Sequence, residues 1–275
     1  MADTYRINAG RGRFFSGFSF TNQLIILDVL LFFISLVLIN IYGENFFSNY
    51  LAITPLLILQ GKSLWTFFTS IFFHANFFHL FANLFSLFFI GNFLERIIGK
   101  KRFFWVYILS GLLGGIFYVG GAFIFGGLDV PAVGASGAIF GLLGVLAVLV
   151  PYSKIYLLVG PLILLAAEFI LGPIIPASFS STFSLVINIL FFIMLFAMLS
   201  FNPRMSKIAV PLKLSMWLLP IVAIVPLILI DLIPGIDLPI GNSAHFGGLV
   251  LGLIYGFYLR RKFPKKITAL GNYFR

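Results

Sequence analysis

The chain has 275 residues, of which 61% are hydrophobic and 9% are charged. A soluble domain of this length could not bury so much apolar surface, so the composition indicates a polytopic membrane protein. The formal net charge is +10, but the basic residues form short clusters between apolar runs, which is typical of membrane orientation and not of a nucleic-acid surface. The chain has no cysteine, which excludes disulfides and a thiolate nucleophile.

Eight apolar segments are predicted to be membrane helices, because lipid offers no hydrogen-bond partners to an open backbone. In chain order they cover approximately 22–42, 77–99, 103–127, 136–152, 154–172, 183–201, 214–234 and 244–261. The first segment is too long for a cleaved signal core and is expected to stay as a spanning helix. The pattern predicts an all-α polytopic membrane protein.

The basic residues predict how the helices are oriented. With eight helices, nearly all clusters of Lys and Arg fall on one side of the membrane, and only Lys62 falls on the other. The positive-inside rule then places both termini in the cytoplasm. We therefore expect a cytoplasmic segment at 1–21, a transmembrane domain at 22–261 and a basic cytoplasmic tail at 262–275. No organelle-targeting segment is recognisable, which favours a prokaryotic plasma membrane.

A serine at the start of the fourth predicted helix lies level with every histidine of the chain. These histidines fall at the outer ends of predicted helices, at His74, His79 and His245. Serine is a weak nucleophile until a base takes its proton, and histidine is the usual base. At a helix start, unpaired N–H groups around Ser136 would favour a developing oxyanion. Gly134 would let the backbone approach a substrate, and Gly137 would leave room beside the hydroxyl.

Glycines at helical spacing follow both the serine and the last histidine. Gly137, Gly141 and Gly144 form one ridge, and Gly248, Gly252 and Gly256 form the other. Such ridges allow close helix contact, which would bring His245 against Ser136, although packing alone is the alternative role of these glycines. His79 and Asn83 share a helix face and could both donate hydrogen bonds to an oxyanion. No acidic residue is placed with the histidines, so no metal ion is expected.

These residues resemble the motifs of the rhomboid family of intramembrane serine proteases. The sequence "GASG" at 134–137 matches the family's Gly-x-Ser-Gly, and the other two motifs match His74, His79 and Asn83, and Ala244, His245, Gly248 and Gly252. The resemblance covers about 60–152 and 235–258.

The resemblance implies a Ser136–His245 dyad without an acidic third member, and an oxyanion hole made by His79, Asn83 and the Ser136 N–H. Supporting positions implied by it are His74, Gly134, Gly137, Phe140, Asn242, Gly248 and Gly252. Phe140 stands where an aromatic residue, often tyrosine, commonly stacks on the catalytic histidine. Trp65 is followed by Thr66, where the family often has arginine. The implied fold is a rhomboid-like helical bundle, with a six-helix core and two extra transmembrane helices.

The leading hypothesis is an intramembrane serine endopeptidase that cleaves single-span membrane proteins near the outer leaflet through an acyl-enzyme. Its partners would be a transmembrane-helix substrate and the lipid bilayer, with no cofactor and no nucleic acid; the oligomeric state stays open. One alternative is a catalytically silent rhomboid-like protein that binds client transmembrane helices. A transporter would require inverted repeats and broken helices, which we do not find in the sequence.

The roles of four acidic residues within or beside apolar segments are predicted separately. Asp28 and Asp231 lie near segment ends and are expected to reach water. For Glu168, a structural role and a substrate-contacting role both stay open. Glu95 is expected to form a structural ion pair with Arg96.

Overall fold

The computed structural model describes residues 18–172, 174–199, 210–231 and 241–273. Its described part is mostly helical and divides into two compact units. The first unit comprises the described residues of Met1–Pro151 and Trp217–Tyr273, and the second comprises those of Tyr152–Met216. The site residues named above all belong to the first unit.

The first unit is a helical bundle with short helices between its first two long segments. Its helices are α1 (Phe20–Tyr42), α2 (Glu44–Phe46), α3 (Pro55–Leu59), α4 (Thr66–Thr69), α5 (Phe77–Ser86), α6 (Asn92–Ile98), α7 (Lys100–Phe125), α8 (Ser136–Leu149), α11 (Leu219–Asp231), α12 (Asn242–Lys262) and α13 (Pro264–Tyr273). A π-helical turn at Leu87–Gly91 joins α5 to α6, and another lies at Phe47–Leu51. Helix α13 was not expected, because 262–275 was predicted only as a basic tail.

Three helices in the described residues are long and apolar enough to cross a membrane. They are Phe20–Tyr42, Phe77–Ile98 and Lys100–Phe125. Helix α8, with 14 residues, rises only about 21 Å at 1.5 Å per residue, less than the ~30 Å of a hydrocarbon core. The chain is thus an integral membrane protein with several apolar helices, while the expected total of eight spanning helices stays a prediction.

Glu95 holds the start of α1. Its carboxylate accepts hydrogen bonds from the N–H groups of Phe20 and Thr21, at 2.9 and 2.8 Å, and from the Thr21 hydroxyl at 2.7 Å. An anion at a helix N-terminus satisfies unpaired N–H groups and complements the helix dipole. Glu95 therefore ties α6 to α1, a role that the expected pairing with Arg96 did not include.

Asp28 does not reach water, contrary to the prediction. Its side chain is fully buried, and neither carboxylate oxygen has a hydrogen-bond partner among the described residues. Asp28 is the ninth residue of α1 and lies on the buried stripe of that helix together with Leu24 and Phe32. The helical period therefore turns it towards the protein and away from the interface. The side chain of Asp231 lies outside the described part of the chain.

Glycines set the contact between α8 and α12. A Cβ atom on Gly248 would overlap the carbonyl oxygen of Gly137, and one on Gly252 would overlap that of Gly141. On Gly144, a Cβ would lie 2.8 Å from the carbonyl oxygen of Leu249. The two helix backbones approach so closely that no side chain fits between them at these positions.

The second unit contains a two-stranded antiparallel sheet, so the fold is not purely α-helical. Its elements are β1 (Lys154–Leu158), α9 (Val159–Leu171), α10 (Ala177–Leu199) and β2 (Pro211–Ser215). Lys154 pairs with Ser215 at one end of the sheet, and Leu158 pairs with Pro211 at the other. The segments 154–172 and 214–234 were predicted to be helical from their first residues. A short apolar run fits a strand as well as a helix, so apolar composition alone could not distinguish the two.

Within the second unit, Glu168 of α9 accepts a hydrogen bond from the hydroxyl of Ser184 of α10. Asn188, one turn further along, donates to the Ser184 carbonyl oxygen at 2.8 Å. These contacts favour the structural role for Glu168, because its carboxylate links the two helices of the unit.

Candidate functional site

The backbone turn before α8 places Ser136 at the first position of that helix. Gly134 has a φ of +126°, a conformation that residues with a Cβ rarely adopt. Its N–H donates to the Ser70 carbonyl oxygen at 2.8 Å, which ties the turn to the segment after α4. The first N–H groups of α8 have no acceptor inside the helix. The Ser136 hydroxyl therefore lies beside donors that could stabilise an anion.

The structure brings Ser136 and His245 together across 109 positions of sequence. The distance between Ser136 Oγ and His245 Nε2 is 2.9 Å, within the reach required of a general base. His245 is buried in the first turn of α12, and its backbone N–H donates to the Gly241 carbonyl oxygen at 3.1 Å. The glycine contacts between α8 and α12 produce this approach.

The other ring nitrogen of His245 is buried and has no hydrogen-bond partner among the described residues. A neutral imidazole carries its proton on one nitrogen only. If Nε2 is to accept the Ser136 proton, Nδ1 must therefore carry the hydrogen, here without a carboxylate to orient it. The ring is oriented instead by Phe140, whose ring stacks on it at a centroid distance of 4.4 Å.

His79 and Asn83 lie beside the same turn. A Cβ atom on Gly134 would lie 2.7 Å from two ring atoms of His79 and 3.6 Å from Asn83 Nδ2. The Asn76 side chain caps the N-terminus of α5 by accepting a hydrogen bond from the His79 N–H at 2.8 Å. Asn83 Nδ2 donates to the His79 carbonyl oxygen at 2.9 Å. Both side chains thus converge on the backbone two residues before Ser136. An amide and an imidazole there can donate hydrogen bonds to a nearby oxyanion.

His74 packs against the ring of His79. Its side chain is 1% exposed, and its ring meets the His79 ring edge to face at 5.3 Å. Burial, together with the proximity of His79, lowers the pKa of His74 to about 3, although the Phe72 backbone acts weakly in the opposite direction. His74 is therefore neutral at pH 7 and acts as a packing partner of the His79 ring.

Helix α7 contributes to the site through Gly114, which was not among the site residues predicted from the sequence. A Cβ on Gly114 would lie 2.9 Å from the Ala244 carbonyl oxygen and 3.5 Å from the Gly137 Cα. A Cβ on Gly137 would lie 3.4 Å from the same Ala244 carbonyl oxygen. Asn242, another predicted site residue, is the first residue of α12. The signal was present in the small-residue run "SGLLGG" at 110–115, which favours close packing by α7 as well.

Internal hydrogen bonds hold the segment between α1 and α5, with Thr66 at the position where the resemblance would lead one to expect arginine. The indole N–H of Trp65 donates to the Tyr50 carbonyl oxygen at 3.0 Å. The Thr66 hydroxyl donates to the Ser63 carbonyl oxygen at 2.7 Å. Within the described ranges, no group of three or more His, Cys, Asp or Glu side chains could hold a metal ion.

Comparison with known proteins gives a family match that extends over residues of both units. A family model described as the Rhomboid domain matches residues 61–209 and 182–262, which together exceed half of the chain. The rhomboid protein YdcA of Bacillus subtilis (strain 168) is 48% identical over 81 residues, which are 30% of this chain and 39% of YdcA.

Two further relatives differ in what their names say about activity. Rhomboid protease GluP of Bacillus subtilis (strain 168) is 36% identical over 132 residues, covering 46% of this chain and 24% of GluP. Inactive RHOMBOID-like protein 8 of Arabidopsis thaliana is 36% identical over 87 residues, covering 32% of this chain and 23% of that protein. The alignments span less than half the length of each of these three relatives.

Proposed function

Because the chain belongs to the rhomboid family, we propose that it is an intramembrane serine endopeptidase that cleaves single-span membrane proteins near the outer leaflet. The family includes relatives named as proteases and as inactive, so activity has to be argued from the residues of this chain. The observation that carries the proposal is the 2.9 Å contact between Ser136 Oγ and His245 Nε2.

The proposed reaction has two steps. In the first, Ser136 Oγ attacks the carbonyl carbon of the scissile peptide while His245 Nε2 takes its proton. His245 then gives this proton to the leaving amine, and the acyl group remains on Ser136 as an ester. In the second step water attacks the ester with His245 as base, which releases the new carboxyl terminus and restores the serine.

Negative charge develops on the carbonyl oxygen in both steps. The Ser136 N–H, the His79 imidazole and the Asn83 amide are proposed to donate hydrogen bonds to it. The approach of both side chains to Gly134 supports this assignment. Donors fixed before the reaction need no reorganisation when the charge appears, which is why such groups contribute strongly to the rate.

The proposed substrate is a membrane protein with one transmembrane helix. The hydrogen bonds and side chains of a helix shield its carbonyl groups, so the substrate must unwind where it is cut, and small residues near the cut would favour this. We further propose that both termini lie in the cytoplasm, that the transmembrane domain covers 22–261 and that the site opens towards the outer face. The clusters of Lys and Arg support this orientation, and the prokaryotic plasma membrane expected from the sequence stays a proposal. No cofactor is required.

The test uses the purified chain in liposomes with a labelled single-span substrate that carries small residues near its outer end. Cleavage by the wild type, mapped by mass spectrometry and lost in Ser136→Ala and His245→Ala, would support the proposal. Ser178→Ala, at an exposed serine of α10, is the control and should cleave normally. A fluorophosphonate probe then tests Ser136 without a substrate. Failure of the wild type both to cleave and to react would favour the client-binding alternative.

A further inference from the structure

Three cationic side chains surround the ring of Phe263, the residue between α12 and α13. Arg102 Cζ lies 5.0 Å from the ring centroid, and the Nζ atoms of Lys262 and Lys266 each lie 5.9 Å from it. They come from three helices, α7, α12 and α13. We call these residues the Phe263 cluster. Lys262 lies 17 positions beyond His245 on α12, about 26 Å along a helix, so the cluster is separate from the proposed protease site.

The helices that form the Phe263 cluster supply no negative charge. Neither α7, α12 nor α13 contains an aspartate or glutamate. Their ends carry eight basic residues, at Lys100, Lys101, Arg102, Arg260, Arg261, Lys262, Lys265 and Lys266. Since Arg102, Lys262 and Lys266 each lie within 5.9 Å of the same ring centroid, an anion beside this ring would be attracted to all three.

The start of α13 adds donors for an anion at the same place. The helix begins at Pro264, directly after Phe263, with two lysines and no acid in its first turn. A helix N-terminus has unpaired N–H groups and a positive dipole end, so lysines there run against the usual preference for acids. Their presence is explained if an external anion binds at this terminus.

Within the Phe263 cluster, the ammonium group of Lys262 is held in place by Tyr258. Lys262 Nζ donates to the Tyr258 hydroxyl at 2.7 Å and lies 5.2 Å from the Tyr258 ring centroid. This contact holds the ammonium group near Phe263 and reduces the entropy lost when an anion binds.

Aromatic residues place the Phe263 cluster at the membrane interface. Trp105 and Tyr258, at the same ends of α7 and α12, are 51% and 48% exposed. Exposed tryptophan and tyrosine at helix ends are typical of the headgroup region of a bilayer. An anion that meets the cluster there would also find apolar surface for attached hydrocarbon chains.

We propose that Arg102, Lys262 and Lys266 form a binding site for the phosphate of an anionic phospholipid. The site is independent of the protease proposal and uses the opposite end of α12. Cationic clusters between membrane helices at the cytoplasmic interface have the chemistry to recognise such headgroups. Free phosphate shares the charge but lacks the hydrocarbon chains, so the two ligands can be separated by experiment.

Native mass spectrometry of the full chain in detergent tests the proposal, with phosphatidylglycerol and phosphatidylcholine titrated separately. We expect the wild type to bind phosphatidylglycerol at least about tenfold more tightly. The triple variant Arg102→Gln, Lys262→Gln, Lys266→Gln should lose this preference. The matched control removes the same charge from sequence neighbours, by Lys101→Gln, Arg261→Gln and Lys265→Gln, and should keep it.

Several outcomes would overturn the site. Equal loss of preference in both triple variants would mean that only overall basic charge matters. Displacement of the lipid by an equal concentration of inorganic phosphate would assign the site to the free anion. A charge-retaining variant, Arg102→Lys with Lys262→Arg and Lys266→Arg, should keep the preference. If the triple glutamine variant does not fold, Lys266→Gln against Lys265→Gln gives the same comparison at one position.

Discussion

The rings of Phe140 and His245 are stacked, with centroids 4.4 Å apart and planes 19° apart. Phe140 lies one helical turn after Ser136 on α8, so a single helix carries both the proposed nucleophile and the ring that stacks on its proposed base. Since His245 Nδ1 has no hydrogen-bond partner among the described residues, we expect this stacking to provide the orientation that a carboxylate provides in a triad.

Phe140→Leu is expected to lower kcat while largely preserving the fold. An aromatic pair contributes about 0.5–1.5 kcal/mol beyond simple burial, so we expect a fall of roughly two- to tenfold. Phe140→Tyr keeps the stacking surface and should retain activity. Steady-state cleavage in liposomes measures both variants. Equal activity of wild type and Phe140→Leu would show that the ring does not orient His245.

Asn83→Ala tests the proposed oxyanion hole. Removing one such donor typically costs about 10²- to 10³-fold in kcat, and a comparable loss is expected here, with a much smaller change in KM. The Nδ2 atom of Asn83 lies 3.6 Å from the position of a Cβ on Gly134, beside the turn where the oxyanion is proposed to form. The control is Asn49→Ala, at an exposed asparagine in the segment between α1 and α5. A change confined to KM would instead assign Asn83 to substrate binding.

Gly252→Ala should destabilise the chain more than an alanine substitution at a helix glycine with open space beside it. Its new Cβ would overlap the Gly141 carbonyl oxygen, and backbone cannot yield as a flexible side chain can. Overpacking of this kind costs about 1–3 kcal/mol or more, which should appear as a lower Tm in detergent. Gly120→Ala is the matched control, because nothing lies within 4 Å of its Cβ. That variant should be neutral or stabilised by up to about 1 kcal/mol.

His74 should make the chain less stable in acid. The pKa of His74 is about 3 in the folded chain, compared with 6.5 for an ordinary histidine. Between these values the unfolded chain binds a proton that the folded chain does not, so the free energy of unfolding falls as the pH drops below about 6.5. Above that pH the effect vanishes. This one group contributes a slope of at most about 1.4 kcal/mol per pH unit.

Thermal unfolding at pH 7.5 and pH 5 measures this effect. His74→Phe keeps a flat ring against His79 but cannot be protonated, so its Tm should fall less between the two pH values than that of the wild type. Identical falls in wild type and variant would show that other groups determine the acid sensitivity.

The sequence predicted the pairing of Ser136 with His245 because small residues at helical spacing specify which helix faces meet. It could not predict β1 and β2, because a short apolar run is compatible with a strand as well as with a helix. The Phe263 cluster was also missed. Its members are distant in sequence, and only the packing of α7 beside the α12–α13 junction brings them together.

The position of Asp28 near the end of an apolar segment led to the wrong prediction that its side chain reaches water. A carboxyl group that is fully buried without a hydrogen-bond partner costs stability, typically about 1–3 kcal/mol. Leucine has a similar branched shape and no polar atoms, so Asp28→Leu should raise the Tm in detergent. Leu24→Asp, one turn earlier on the same buried stripe, should lower it. If Asp28→Leu is instead destabilised, Asp28 has a partner in the membrane that compensates its burial, and Asp28→Asn would then show whether its charge or its hydrogen bonding is needed.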